Sequence, residues 1–140
     1  MKWLAVVLVA ILAAACQSPV SACEAVTSLL GTWRYSGMQD APASAALEGS
    51  LEITSESCDG FQGRLDVTQS AIAGATLHLA GPVSGRVISG NSVRFDAWVT
   101  AIPRQHVASL ESGTVEGSWV KVGDGSVETG SFRAERGVVR

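Results

Sequence analysis

The residues able to do chemistry are few and far apart. The chain of 140 residues has two histidines, His78 and His106, and three cysteines, Cys16, Cys23 and Cys58. A histidine works in catalysis when one neighbour orients it and a reacting group faces it. Neither histidine has a serine–aspartate or cysteine partner nearby in sequence. Triads assemble in space, so distant partners stay open. Both are read as surface histidines, His78 on the outward side of its run and His106 near the start of another, after Pro103. The cysteines and lone histidines lack the tight spacing of a zinc site. The acids are scattered, and Asp59 and Asp124 stand before glycines, where a turn explains them. No glycine loop links a strand to a helix, as phosphate binding would need. The expectation is a protein that is not an enzyme, with no metal and no cofactor.

The elements that would position any site are exported ones. Lys2 precedes an apolar run from Trp3 to Ala15. A span needs about 20 residues, so this run is too short to cross a bilayer and fits a secretory signal. "LAAAC", ending at Cys16, resembles the lipobox of bacterial lipoproteins, although Ala13 stands where leucine is usual. "VSAC", ending at Cys23, fits the letters better, but Gln17-Ser18-Pro19 separates it from the apolar run. Cys16 is therefore the expected lipidated residue. The resemblance implies a lipid anchor in a bacterial envelope, with Gln17 compatible with an outer membrane and a domain facing the periplasm; plain secretion is the alternative. Residues 1–15 are the expected signal peptide, 16–28 the lipidated cysteine and tether, and 29–136 the folded domain. With Cys16 assigned to lipid, Cys23 and Cys58 remain as an even pair, expected to be a disulfide in an oxidising compartment. It would close a loop of about 35 residues, worth about 3–4 kcal/mol in the chain-entropy description. Net charge is −3 without a basic run, which excludes a nucleic-acid footprint.

From Leu29 onward apolar and polar residues alternate, the period of strands with one buried face. Eight runs stand out: 32–38, 47–56, 61–69, 75–88, 92–100, 104–111, 114–122 and 126–136. Asp59-Gly60, Gly90-Asn91, Ser112-Gly113 and Asp124-Gly125 separate runs as tight hairpins require. "APASAALEG" from Ala41 reads as a long loop with room for one helical turn. A unit of apolar, any, Gly, any, apolar recurs as "LLGTW", "LEGSL", "FQGRL", "VSGRV" and "VEGSW", with "ETGSF" a frayed copy. Its apolar residues and glycine share one face, and inner glycines let strands bend sharply enough to close a small barrel. Val93, Phe95, Ala97 and Val99 point inward on this reading, as do Leu77 and Leu79. Trp98 then falls on the polar side, either as an outward contact or buried by a bulge.

Gly31-x-Trp33 at the head of the first of eight meandering strands resembles the calycin group, the lipocalins, avidins and their relatives. The resemblance implies an all-β fold, an eight-stranded antiparallel up-and-down barrel. It also implies that an arginine of the last strand covers the first-strand tryptophan and closes one barrel end; Arg136 is the candidate for Trp33. A β-sandwich of the same hairpins would hold those two apart. In such a barrel the start of the first strand and the second loop share one end, which makes a Cys23–Cys58 bridge geometrically sensible. "LESGTVEGSW" resembles the avidin hairpin that carries Ser, Thr and Trp near biotin, with Ser112, Thr114 and Trp119 the nearest matches. Trp33-Arg34-Tyr35-Ser36 lacks the asparagine and serine of that site, and the last strand lacks its aspartate, so biotin is not expected. Tyr35, Thr114 and Trp119 are the candidate contacts for a small apolar or amphipathic ligand in the lumen. Trp98 is the candidate contact for an envelope protein, in the alternative of a filled barrel that acts as an assembly factor or inhibitor.

Overall fold

Alternation broken by glycine gives one sheet rolled on itself. The structure is a computed structural model that describes residues 27–71, 74–123 and 125–137. Cys16, Cys23, Asp124 and the signal-like run lie outside those residues. The strands are β1 (Gly31–Ala41), β2 (Ala45–Ser57), β3 (Gly60–Ala71), β4 (Thr76–Ser89), β5 (Ser92–Ala97), β6 (Arg104–Glu111), β7 (Thr114–Gly123) and β8 (Ser126–Arg136). Each pairs antiparallel with the next, and β8 returns to β1 to close an eight-stranded barrel. Closure runs through Trp33 opposite Arg136, Tyr35 opposite Ala134 and Gly37 opposite Phe132. It satisfies the backbone groups that an open sheet would leave at two edges.

The glycine-centred units turn inward. Leu47 and Leu51, Phe61 and Leu65, and Val115 and Trp119 are buried around their central glycines. A methyl group on Gly49, Gly63, Gly81 or Gly117 would come within about 2 Å of a backbone carbonyl oxygen of the adjacent chain segment, between 1.9 and 2.0 Å in the four cases. These glycines therefore create no free volume; adjacent backbone takes the space and the strands coil. Among the described residues the core between Trp33, Phe61, Phe95 and their neighbours is packed by side chains and leaves a void of about 10 Å³.

Several expectations need correction. The segment from Ala41 is not a long loop. β1 runs to Ala41, a short turn holds a cis Ala41–Pro42 bond, and β2 starts at Ala45. Ala45 and Leu47 are buried on the strand period, which outweighs the helical preference of alanine. β5 stops at Ala97 rather than at 100, although the Trp98 N–H still donates to the Pro82 carbonyl at 2.9 Å. Trp98 is 45% exposed and is not buried by a bulge. Leu77 is 56% exposed: it keeps the inward parity of Leu79 but stands at the rim, above the last filled layer. His106 is 1% exposed and no surface residue. It shares parity with Ala108 and Leu110, which the core requires inside.

Candidate functional site

The two barrel ends differ in kind. At the end where β1 begins, Leu29 and Trp33 are buried and the Trp33 indole N–H donates to the Leu29 carbonyl at 2.8 Å. The Arg136 guanidinium lies 4.6 Å from the Trp33 ring centre. It donates to the carbonyls of Leu30, at 2.9 Å, and Ser28. A delocalised cation on an indole face with its donors on carbonyls is a favourable cap, and it seals this end.

The opposite end, where β1 finishes, is a polar mouth. A hydrogen-bonded chain crosses it. Gln39 Nε2 donates to the Ala43 carbonyl at 3.0 Å, Gln69 Nε2 to Gln39 Oε1 at 3.5 Å, and Arg104 Nη2 to Gln69 Oε1 at 3.1 Å. Arg104 and Lys121 then share one carboxylate, with Glu128 oxygens at 3.5 and 3.2 Å. The Arg104 guanidinium also stacks 4.4 Å from the Trp119 ring centre. Gly130 gives the indole its room, since a Cβ there would lie 2.4 Å from it. Burial lowers the Arg104 pKa, while the Glu128 charge and then Tyr35 act the other way. Two buried donors of this cluster, Arg104 Nε and Trp119 Nε1, have no hydrogen-bond partner among the described residues, and Glu128 Oε2 is met only by the 3.5 Å ion pair with Arg104. Such atoms cost about 1–3 kcal/mol each when nothing meets them.

Below the mouth lies a neutral aromatic layer. His106 Nδ1–H donates to the Arg104 carbonyl at 3.0 Å, so Nε2 accepts from the Tyr35 hydroxyl at 3.1 Å. His106 stacks on Phe95 at 4.2 Å and Tyr35 on Phe132 at 5.4 Å. Burial pushes the His106 pKa down to about 3, with the carbonyl bond opposing the shift. Burial raises the Tyr35 hydroxyl, against the pull of the Arg104 charge. With both ring nitrogens engaged, His106 holds a fixed tautomer and orients Tyr35.

The expected ligand contacts are not brought together as a set. Tyr35 and Trp119 both face the interior and are linked through His106, which lies 6.1 and 6.5 Å from them, centroid to centroid. Thr114 stands at the sealed end on the opposite parity to Trp119, beside Glu116 and Arg133 on the outer face. Trp98 lies outside, next to β4. His78 is exposed and bonded to Asp66 at 2.7 Å. Cys58 lies in the turn between β2 and β3; Cys23, its expected partner, is outside the described residues. Sequence reasoning missed His106, Arg104, Gln39, Gln69, Lys121 and Glu128. Two signals pointed to some of them. "RQHVASL" places Arg104 and His106 on the parity of Ala108 and Leu110, and Glu128 occupies an apolar position of the frayed unit "ETGSF".

No family model matches the chain, and no curated protein matches it in sequence. Solved structures share its fold. EF1p2_mFAP2b bound to DFHBI superposes with a TM-score of 0.61 at 13% identity, covering 78% of this chain and 94% of that one. The redesigned β-barrel mFAP1 bound to DFHBI gives 0.55 at 12% identity, over 77% and 94%. A fluorescence-activating β-barrel designed de novo gives 0.51 at 15% identity, over 77% and 93%.

Proposed function

We propose that the protein is a binding protein whose polar mouth takes a small ligand, and that it is an exported, lipid-anchored component of a bacterial envelope. One observation carries the binding reading: one end is sealed by Trp33 and Arg136 while the other holds buried polar atoms without partners. Buried polar groups in folded proteins are normally satisfied, so donors that no described protein group meets are where a small polar molecule would be held. The filled interior limits that ligand to the mouth, above His106. The engaged ring nitrogens of His106 favour binding over catalysis. The anchor reading rests on the apolar run and "LAAAC", and it assigns the lipid to Cys16 and a disulfide to Cys23 and Cys58. The neighbours bound to DFHBI support the ligand reading only as examples of what such a barrel can hold.

Native mass spectrometry of the protein released from membranes tests these assignments. The expected spectrum carries a diacylglyceryl mass removed by Cys16→Ser, a disulfide that opens with reductant, and a retained small molecule that Arg104→Gln releases. A species with lipid and disulfide but no retained mass, whose cross-links to another protein concentrate at Trp98, would instead favour the filled-barrel interaction protein. The packed interior and the exposed Trp98 are the observations behind that second reading.

A further inference from the structure

We infer that the mouth selects a monoanionic amphipathic molecule, a small carboxylic acid with its carboxylate at Arg104 and Trp119 and its apolar body on the rim. This rests on the mouth being a ligand site and goes beyond it in naming the ligand's charge and chemistry.

Charge balance is the first reason. Among the described residues, two cations facing the interior of the mouth, Arg104 and Lys121, share the one carboxylate of Glu128, while Asp40 stands exposed on the outer parity of β1. Arg104 is buried, and Lys121 and Glu128 are each mostly so, with side chains 14% and 21% exposed. An excess positive charge in such surroundings is poorly solvated, and one negative charge from a ligand neutralises it. The second reason is the set of free donors. Trp119 Nε1–H and Arg104 Nε–H are buried and have no acceptor, and the guanidinium lies over the indole, which places both donors in one small region. A carboxylate offers two acceptor oxygens and a single charge, and arginine binds that shape well. Arg104 Nη2 is already committed to Gln69 and Glu128, while Nε has no acceptor among the described residues.

The rim supplies the rest. Val99 and Ile102 follow β5 and precede β6 on the inward parity, and Leu77 tops β4 on the same side. Ile102 leans on Gly123, where a Cβ would meet its side chain at 2.2 Å. Leu77 is largely exposed, so apolar surface sits at the opening while charge sits beneath it. A ligand with a buried carboxylate and an apolar end toward solvent fits that order. The carboxylate goes no deeper than Arg104, because the aromatic layer of Tyr35, His106 and Phe95 blocks descent into the barrel.

The test uses the purified full-length protein and a panel of fluorinated aromatic acids, each with its matched amide and alcohol. Binding is followed by fluorine NMR, and the Trp119 indole N–H signal reports the site. The expected result is that acids bind about tenfold or more tightly than their neutral counterparts. Glu128→Gln tightens acid binding and Lys121→Gln weakens it, opposite changes that a general loss of structure cannot produce. If a neutral member shifts the Trp119 signal as strongly as its acid, the anion selection is wrong while the mouth remains a ligand site. If no member shifts it, or both variants move acid affinity in the same direction, both readings fall.

Discussion

At the scale of single residues, His106 makes the fold sensitive to acid. The ring is neutral in the native state down to about pH 3. In the unfolded chain it takes a proton near its ordinary value of about 6.5. Between those values the unfolded state binds more protons, so stability is full above about pH 6.5 and falls as pH drops toward 3. Urea unfolding at about pH 7 and pH 4 should show the wild type losing about 3 kcal/mol more than His106→Phe over that interval. The phenylalanine also strips the Tyr35 hydroxyl of its acceptor, so the difference between the two pH values is the reading, not the absolute stability. An equal loss in both proteins would mean that the native ring gains its proton as readily as the unfolded one.

At the scale of elements, glycine decides how the strands coil. A methyl on Gly81 would stand 1.9 Å from the Trp98 carbonyl oxygen, a backbone atom that cannot swing aside. Gly81→Ala should therefore cost about 1–3 kcal/mol in denaturant unfolding, while Ser84→Ala on the exposed side of β4 should cost almost nothing. The β4–β5 pair carries a second testable feature, since Arg86 and Arg94 stand directly opposite in register and both are exposed. Arg94→Glu exchanges a like-charge cross-strand pair for an opposite one and should add about 0.5 kcal/mol, an effect that shrinks in high salt. The strands themselves were legible in the chain because alternation and the glycine unit agreed over Leu47, Phe61 and Phe132, and alternation after the Gly90-Asn91 turn marked Phe95. The site was less legible. Polar residues break the apolar pattern where Arg104, Gln69 and Glu128 enter the interior, and periodicity alone reads such positions as strand ends. The partners of the mouth come from β1, β3, β6, β7 and β8, so only closure of the barrel brings them together. Ala41–Gly49 misled for a different reason: alanine carries little strand signal of its own, and its burial comes from packing.

At the scale of the whole molecule, closure removes any privileged start. β1 and β8 are neighbours, and the Gly137 N–H donates to the Thr32 carbonyl at 3.0 Å, so both described ends meet at the sealed side. A circular permutant that joins residues 137 and 27 by a short linker and opens at Gly90-Asn91 should fold to the same barrel. Its far-ultraviolet spectrum should be unchanged and its melting temperature within a few degrees of the parent, about 1 kcal/mol in stability. A permutant that stays unfolded would show that the chain needs its native order of hairpins to close. The Arg136 clamp has a mechanical meaning as well. It grips the carbonyls of Ser28 and Leu30, the last links of the segment that leads into β1. A pull on that segment loads β8 through Arg136 before it can peel β1 from its neighbours. The same geometry gives the proposed anchor a heading: the described chain leaves β1 at the sealed end, and the mouth opens at the end opposite to it.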